Sequence, residues 1–152
     1  MTRRNPEKVE LETDFSDPEL GQVGSVDVWL SDDRDQTYLG GWYGYADELA
    51  RRLEEDEYFG LSSYLQKVDG HQVGYIAGME VRQDLTGRGI GTAMIEACLD
   101  IMRQKQVDVV FLHRSAGNRS SDEQLEKLYK RIGFRNVKCC ARDIWPVMRM
   151  DL

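Results

Sequence analysis

Val81-Arg82-Gln83-Asp84-Leu85-Thr86-Gly87-Arg88-Gly89-Ile90-Gly91-Thr92-Ala93-Met94 decides how the rest of the chain is read. It begins where an apolar run, Tyr75 to Val81, is ending. It finishes in a segment whose apolar residues, Ile90, Met94, Ile95, Cys98, Ile101 and Met102, recur at helical spacing. The order is therefore strand, glycine turn, helix. Gly87, Gly89 and Gly91 permit positive φ and close approach of a ligand to the backbone. Amides at a helix N-terminus attract anions, and the macrodipole adds to that attraction. The stretch predicts a phosphate or pyrophosphate cradle, against the plainer alternative of a turn that only joins a strand to a helix. A Walker A loop would close with Gly-Lys-Ser/Thr, which is absent. A dinucleotide fingerprint would need a small residue where Thr92 or Met94 stands.

A second segment, Leu125-Glu-Lys-Leu-Tyr129-Lys-Arg-Ile-Gly133-Phe134, reads as a helix closed by glycine. Together the two segments resemble the GNAT superfamily of acyl-CoA-dependent N-acyltransferases. The acetyl-CoA motif of that family is Gln/Arg-x-x-Gly-x-Gly/Ala; Gly89 and Gly91 fill its two small positions, and Thr86 stands where Gln or Arg is usual. The second segment is similar to the family's Leu-Tyr helix with its closing Gly-Phe. The likeness spans roughly residues 72–152, and residues 1–60 show no clear match. It implies an α/β (α+β) fold of GNAT type: a central mixed, mostly antiparallel sheet with a splayed parallel pair, flanked by helices.

The chain has 152 residues, so a single domain over 1–152 is expected. A chain this long buries about two-thirds of its unfolded surface. With 41% hydrophobic and 31% charged residues it has a globular composition. No run approaches the roughly 18 apolar residues of a membrane span, and the N-terminus carries no secretory pattern. The three cysteines, Cys98, Cys139 and Cys140, form no disulfide framework and suit a reducing cytoplasm. Cys98 lies on an apolar helix face and reads as a small buried hydrophobe. Two histidines without ligand-spaced cysteines give no metal signature.

The net charge of −7 is unevenly spread. Residues 1–60 hold 16 acidic and 6 basic side chains, and residues 61–152 hold 11 and 14, so the halves carry −10 and +3. The basic half is the one that would hold an anionic CoA, and the acidic half favours a cationic partner. Nucleic acid is disfavoured, because no basic stripe is interleaved with aromatics.

Taken in order, Val9 to Phe15 and Val26 to Leu30 alternate as strands do. Tyr38 to Tyr45 interleaves aromatics with glycine and reads as a surface loop or an irregular packed segment. Ala46 to Tyr58 is expected to be a helix ended by Gly60. Leu61 to Val68 is expected to be a strand, turned by the Asp69-Gly70 hairpin signal into a returning strand, His71 to Val81. Gly74 and Gly78 within that strand mark a bulge or a close approach by a ligand. Val107 to Leu112 reads as a buried central strand. Ser120 with Glu123, or Ser121 with Gln124, fits a capping box for the Leu-Tyr helix. Two short strands, Asn136 to Ala141 and Ile144 to Met150, complete the chain.

Acetyl transfer to an amine needs a neutral attacking nitrogen, donors for the tetrahedral oxyanion and an acid for the departing thiolate. The resemblance implies that Tyr129 is that acid. It implies a CoA site formed by Met79, Val81, Thr86, Gly87, Arg88, Gly89, Ile90, Gly91 and Thr92, with an oxyanion donor near Val81. It also implies an acceptor wall in the N-terminal part, for which Trp42, Tyr43 and Tyr45 are candidates through cation–π contact, with plain loop packing the alternative. Glu80 and His113 are rival general bases. The implied activity is acetyl-CoA-dependent N-acetylation of a primary amine, on a cationic small molecule or a protein, without a metal. The alternative is a GNAT-fold module that binds CoA and regulates without turnover. C-terminal strands pair between copies in some members, which leaves a homodimer open.

Overall fold

A computed structural model describes residues 11–16, 23–31, 33, 36–67, 71–82, 84, 87, 89–115 and 122–152. In chain order the elements are strands β1 (Leu11–Ser16), β2 (Gly24–Leu30) and β3 (Tyr38–Tyr45), helices α1 (Ala46–Glu55) and α2 (Phe59–Leu65), and strand β4 (Gln72–Glu80). Helix α3 (Ile90–Gln104), strand β5 (Val109–His113), helix α4 (Asp122–Ile132) and strands β6 (Arg135–Val137) and β7 (Val147–Asp151) follow. The strands form one mixed sheet in the order β1-β2-β3-β4-β5-β7-β6. Every neighbouring pair is antiparallel except β4 and β5. The expected α/β architecture is present.

Helices cover both faces of the sheet. On one face α3 buries Ile90, Met94, Ile95, Cys98, Leu99 and Met102 against Val26, Val28, Leu39, Ile76 and Val110, with Tyr129 and Phe134 from the α4 end. On the other, Leu49 and Leu53 of α1 and Leu61 and Leu65 of α2 pack on Val73, Tyr75, Val109 and Phe111. Alternation along β4 and β5 sends Val73, Tyr75, Val109 and Phe111 to one side and Ile76, Val110 and Leu112 to the other.

Two segments depart from their expected form. Tyr38–Tyr45 is not a loop but the third strand, paired with β2 on one edge and β4 on the other. Its glycines suit a central strand because Gly41 lies under α3, where a Cβ would sit 3.1 Å from both Cys98 Sγ and Met102 Cε. Leu61 to Val68, expected as a strand, begins in helix α2. Leu61 and Leu65, four apart, both fall on the buried face, and the Ser62 hydroxyl donates to the Ala50 carbonyl at 2.9 Å, tying α2 to α1. Gly60 therefore lies inside α2 and ends nothing. The antiparallel partner of β4 is β3, while Asp69-Gly70 and the Ser120 and Ser121 cap candidates lie outside the described residues. Cys139 and Cys140 are bonded to each other, a vicinal disulfide that joins no two elements. Cys98 is buried and unbonded, and burial pushes its thiol up to about 12, as expected of an inert core residue.

Candidate active site

The sheet opens beside its one parallel pair. Val73 to Ile76 of β4 run alongside Val109 to Leu112 of β5, and the pairing stops there. β4 continues to Glu80 against β3 alone. Between Gly40↔Gly78 and Gly41↔Ile76 the register shifts, leaving Ala77 as an extra residue on β4. Such a bulge bends its strand and ends regular pairing. Beyond it the alternation is reset: Met79 and Val81 pack toward α3, and Glu80 lies on the alternate side. Ala77 and Gly78 are exposed at the opening, and nothing lies within 4 Å of a Cβ built on Gly78.

The glycine turn follows from the end of β4. Gly87 and Gly89 have φ of +80° and +77°, and Gly89 is the N-cap of α3. A side chain on Gly89 would meet no atom within 4 Å, so its backbone conformation, not crowding, requires glycine. No side chain caps α3, and the amides of Ile90, Gly91 and Thr92 open its first turn. Helix amides of this kind favour an anionic oxygen. Gly91 packs beside Met79 and Val81, each 3.6 Å from its would-be Cβ. Thr86 and Arg88 lie outside the described residues. Gly74, also read from the sequence as a place for a ligand, instead receives α3: a Cβ there would lie 2.6 Å from Met102 Sδ.

At the fork a polar chain runs across the α1/α2 face. The Tyr75 hydroxyl is 2.6 Å from His113 Nδ1, and His113 Nε2 is 2.7 Å from Asp143 Oδ2. The side chains of His113 and Asp143 are only 2% and 1% exposed. Asp143 also accepts from the amides of Gly60 at 2.7 Å and Leu61 at 3.0 Å, in the first turn of α2. An ionised carboxylate only accepts, so His113 Nε2 carries the proton and Nδ1 accepts from Tyr75. The Tyr58 ring stacks on the imidazole at 3.8 Å. Burial lowers the His113 pKa, with the Asp143 hydrogen bond and charge opposing it, so the ring is neutral at pH 7. Burial raises Tyr75 and Tyr58, and Asp56 and Asp143 raise both further.

The other residues singled out in the sequence are dispersed. Tyr129 is buried on the α3/α4 face, edge-on to Phe134 at 5.8 Å, and burial pushes its phenol up to about 12. Glu80 is exposed opposite Tyr38. Tyr43 is a core residue, 2% exposed, whose ring lies over Gly24. Tyr45 is 50% exposed at the start of α1. Trp42 packs 5.4 Å from Tyr75, and the Arg52 guanidinium sits 4.8 Å over its ring, where a cationic ligand would otherwise lie. Tyr58, Tyr75 and Asp143 were not foreseen. The only signal was parity: by alternation Tyr75 shares a strand face with Val73, and His113 shares one with Val109 and Phe111. Among the described residues no cluster of His, Cys, Asp and Glu is arranged to hold a metal, and no helix is long and apolar enough to cross a membrane.

A family model for the acetyltransferase (GNAT) family matches residues 9–134. Against curated proteins the sequence has no significant match. Among solved structures, the Drosophila melanogaster polyamine N-acetyltransferase superposes with a TM-score of 0.59 at 15% identity, over 84% of this chain and 74% of that one. A chain of the NatC complex bound to Gag peptide and CoA gives 0.58 at 14% identity, over 84% and 70%. Arabidopsis thaliana NAA60 with a bisubstrate analogue gives 0.55 at 18% identity, over 86% and 76%. At such identities the likeness is one of fold.

Proposed function

The chain belongs to the acetyltransferase (GNAT) family, and on that premise we propose that it moves an acetyl group from acetyl-CoA to a primary amine by direct attack on the thioester. The observation that carries this reading is the opening between β4 and β5 just after Ile76 and Leu112, with the glycine turn at the far end of β4 and ionisable groups at the fork. The pyrophosphate is held by the amides of Gly87, Gly89, Ile90, Gly91 and Thr92, with their sequence neighbours Thr86 and Arg88 as further candidates. Thr86 supplies a hydroxyl but no charge, which weakens that grip relative to an Arg at the same position. The pantetheine arm lies along Met79 and Val81, and an amide near Val81 faces the oxyanion. Acetyl-CoA is the cosubstrate, and the chain's own groups supply the rest of the chemistry.

Tyr129 protonates the departing thiolate from the α3/α4 side. The proton of the acceptor leaves on the α1/α2 side, where His113 is neutral and able to take it. Acid and base thus stand on opposite faces of the sheet, which suits an attack across the opening. His113 is favoured over Glu80 because it is buried at the fork, whereas Glu80 is exposed at the end of its strand. The acceptor is a cationic amine, a small molecule or a protein amine, entering from the face that carries Asp56 and Glu57. Of the fold neighbours, one is a polyamine N-acetyltransferase and another holds a peptide with CoA, so both acceptor classes fit the fold.

Calorimetry with acetyl-CoA tests the first half, and thiol release in the presence of agmatine, spermidine and a lysine peptide tests the second. Binding with release establishes the transfer and its acceptor class. Binding without release against any amine favours a regulatory CoA-binding module. Absence of binding removes the reading.

A further inference from the structure

His113 cannot take a proton directly from a substrate in the arrangement observed. Nε2 is 2.7 Å from Asp143, Nδ1 is 2.6 Å from Tyr75, and one face of the ring is covered by Tyr58 at 3.8 Å. What remains is transfer through a partner. Asp143 accepts only, and its lone pairs are engaged by two amides as well as by His113. Tyr75 is different: its hydroxyl can release a proton to Nδ1 while accepting another. It is itself almost wholly buried and stands on β4 two residues before the bulged, exposed Ala77.

We infer that Tyr75, His113 and Asp143 form a proton chain in which the Tyr75 oxygen, rather than His113, meets the acceptor ammonium, and Asp143 is the positioning residue that fixes the imidazole tautomer. The inference rests on the acetyl-transfer reading above. An N–H bond of the ammonium breaks as an O–H bond forms on Tyr75. The original Tyr75 proton moves to His113 Nδ1, which becomes an imidazolium beside ionised Asp143. Tyr75 ends neutral, the amine keeps its lone pair, and one proton has moved from nitrogen to nitrogen. Tyr75 need never be a phenolate, which its burial among Tyr58, Asp56 and Asp143 would oppose. The groups facing the imidazole come from three other segments: Tyr75 from β4, Tyr58 from the α1–α2 turn, and Asp143 from the loop before β7, with the charge of Asp56 reaching both tyrosines.

The α2 helix completes the device. Its first amides hold the Asp143 carboxylate, and the Asp143 amide donates to the Cys140 carbonyl at 3.0 Å. Both oxygens are therefore fixed, and with them the tautomer of a ring more than a hundred residues into the chain. This is the usual way a neighbouring acceptor selects which imidazole nitrogen is protonated.

The test uses the whole chain labelled with 15N-histidine, which contains only His71 and His113. His71→Gln assigns the spectrum. The expected wild-type result is a neutral His113 with its proton on Nε2 at pH 7. In Asp143→Asn the ring becomes a mixture of tautomers. Thiol release from acetyl-CoA against agmatine, spermidine and a lysine peptide supplies the second readout. Tyr75→Phe, which removes one oxygen and keeps the ring, is expected to lower kcat about 100-fold and to abolish the acid limb of the pH profile. If Asp143→Asn loses its fold, Tyr75→Phe still decides. An Nδ1–H tautomer, a cationic His113 at pH 7, or full turnover by Tyr75→Phe overturns the chain while leaving acetyl transfer standing. A wild-type protein that releases thiol with none of the amines overturns the transfer reading and the chain's role together.

Discussion

His113 Nε2 lies 2.7 Å from an Asp143 carboxylate that comes thirty residues later, and both side chains are almost wholly shielded from water. An uncompensated charge in such a place would cost several kcal/mol. Here the carboxylate is met by two amides of α2 and by the ring N–H. No buried side-chain nitrogen or oxygen among the described residues is left without a partner. The pairing links the loop before β7 to the C-terminal end of β5, and α2 to both. The helix pair α1–α2 thus does more than cover the sheet: it fixes the polar groups at the fork.

This burial fixes how stability varies with acid. The folded His113 pKa is lowered chiefly by desolvation, so the unfolded chain takes up the proton first as pH falls. Between the unfolded value, about 6.5, and the lower folded value, the unfolded state binds more protons and stability declines with falling pH. Stability from this source is fully present above about pH 6.5. Urea melts of wild type and His113→Gln from pH 5 to 8 measure it. The wild type is expected to lose more stability on acidification than the variant. Parallel curves for the two proteins would mean that His113 is not held neutral.

Tyr129, the proposed acid, is the simplest substitution to read. Its ring packs on Phe134 within the core, and Tyr129→Phe keeps that packing while removing the oxygen. Acetyl-CoA affinity by calorimetry is expected to change less than about twofold. The rate of thiol release is expected to fall about 100-fold, the loss of one general acid. A variant with wild-type kcat would assign protonation of the thiolate elsewhere.

How much of this could be read in the sequence depended on what decides each element. The α3 helix, its glycine turn, the buried β5 strand and the Leu-Tyr helix closed by Gly133 follow from local periodicity and end signals, and all are present. β3 and α2 are not local outcomes. Gly41 fits a strand because α3 packs against it, and Phe59–Leu65 is a helix because Ser62 and its neighbours dock on α1. The site divides the same way. The glycine turn is one continuous stretch and was legible. The Tyr75–His113–Asp143 chain is assembled from three distant segments, and Asp143 gains its place from amides of the helix that the sequence had suggested was a strand. Trp42, Tyr43 and Tyr45 were grouped by adjacency, but strand alternation sends Trp42 and Tyr43 to opposite faces.

Gly89 separates backbone strain from crowding. Its φ is +77° and a Cβ there would touch nothing. Gly89→Ala is therefore expected to cost about 1–2 kcal/mol, the penalty of a left-handed L-residue. Gly78, equally open but without positive φ, provides the control: Gly78→Ala should change stability little. Denaturant melts of both compare them directly. Equal effects would mean that the turn adapts to alanine.

The C-terminal end of α3 offers a stabilising change far from the fork. Lys105 is the C-cap, and Gln106 follows it at φ 63°. The Val107 amide reaches the Met102 carbonyl at 3.0 Å and the Gln106 amide reaches Arg103 at 3.0 Å. This is the helix-ending pattern in which glycine is preferred at the left-handed residue. Gln106 is exposed, so its side chain contributes little packing. Relief of strain should outweigh the added freedom of glycine in the unfolded chain, giving Gln106→Gly about 0.5–1 kcal/mol of added stability. For a chain this long that corresponds to a rise of roughly 1–4 °C in Tm. Gln104→Gly, two residues earlier and inside the helix, should lose about 0.5–1 kcal/mol. Calorimetric melts of the pair with opposite signs are the expected result. Two losses of similar size would show that the left-handed turn at Gln106 carries no strain worth relieving.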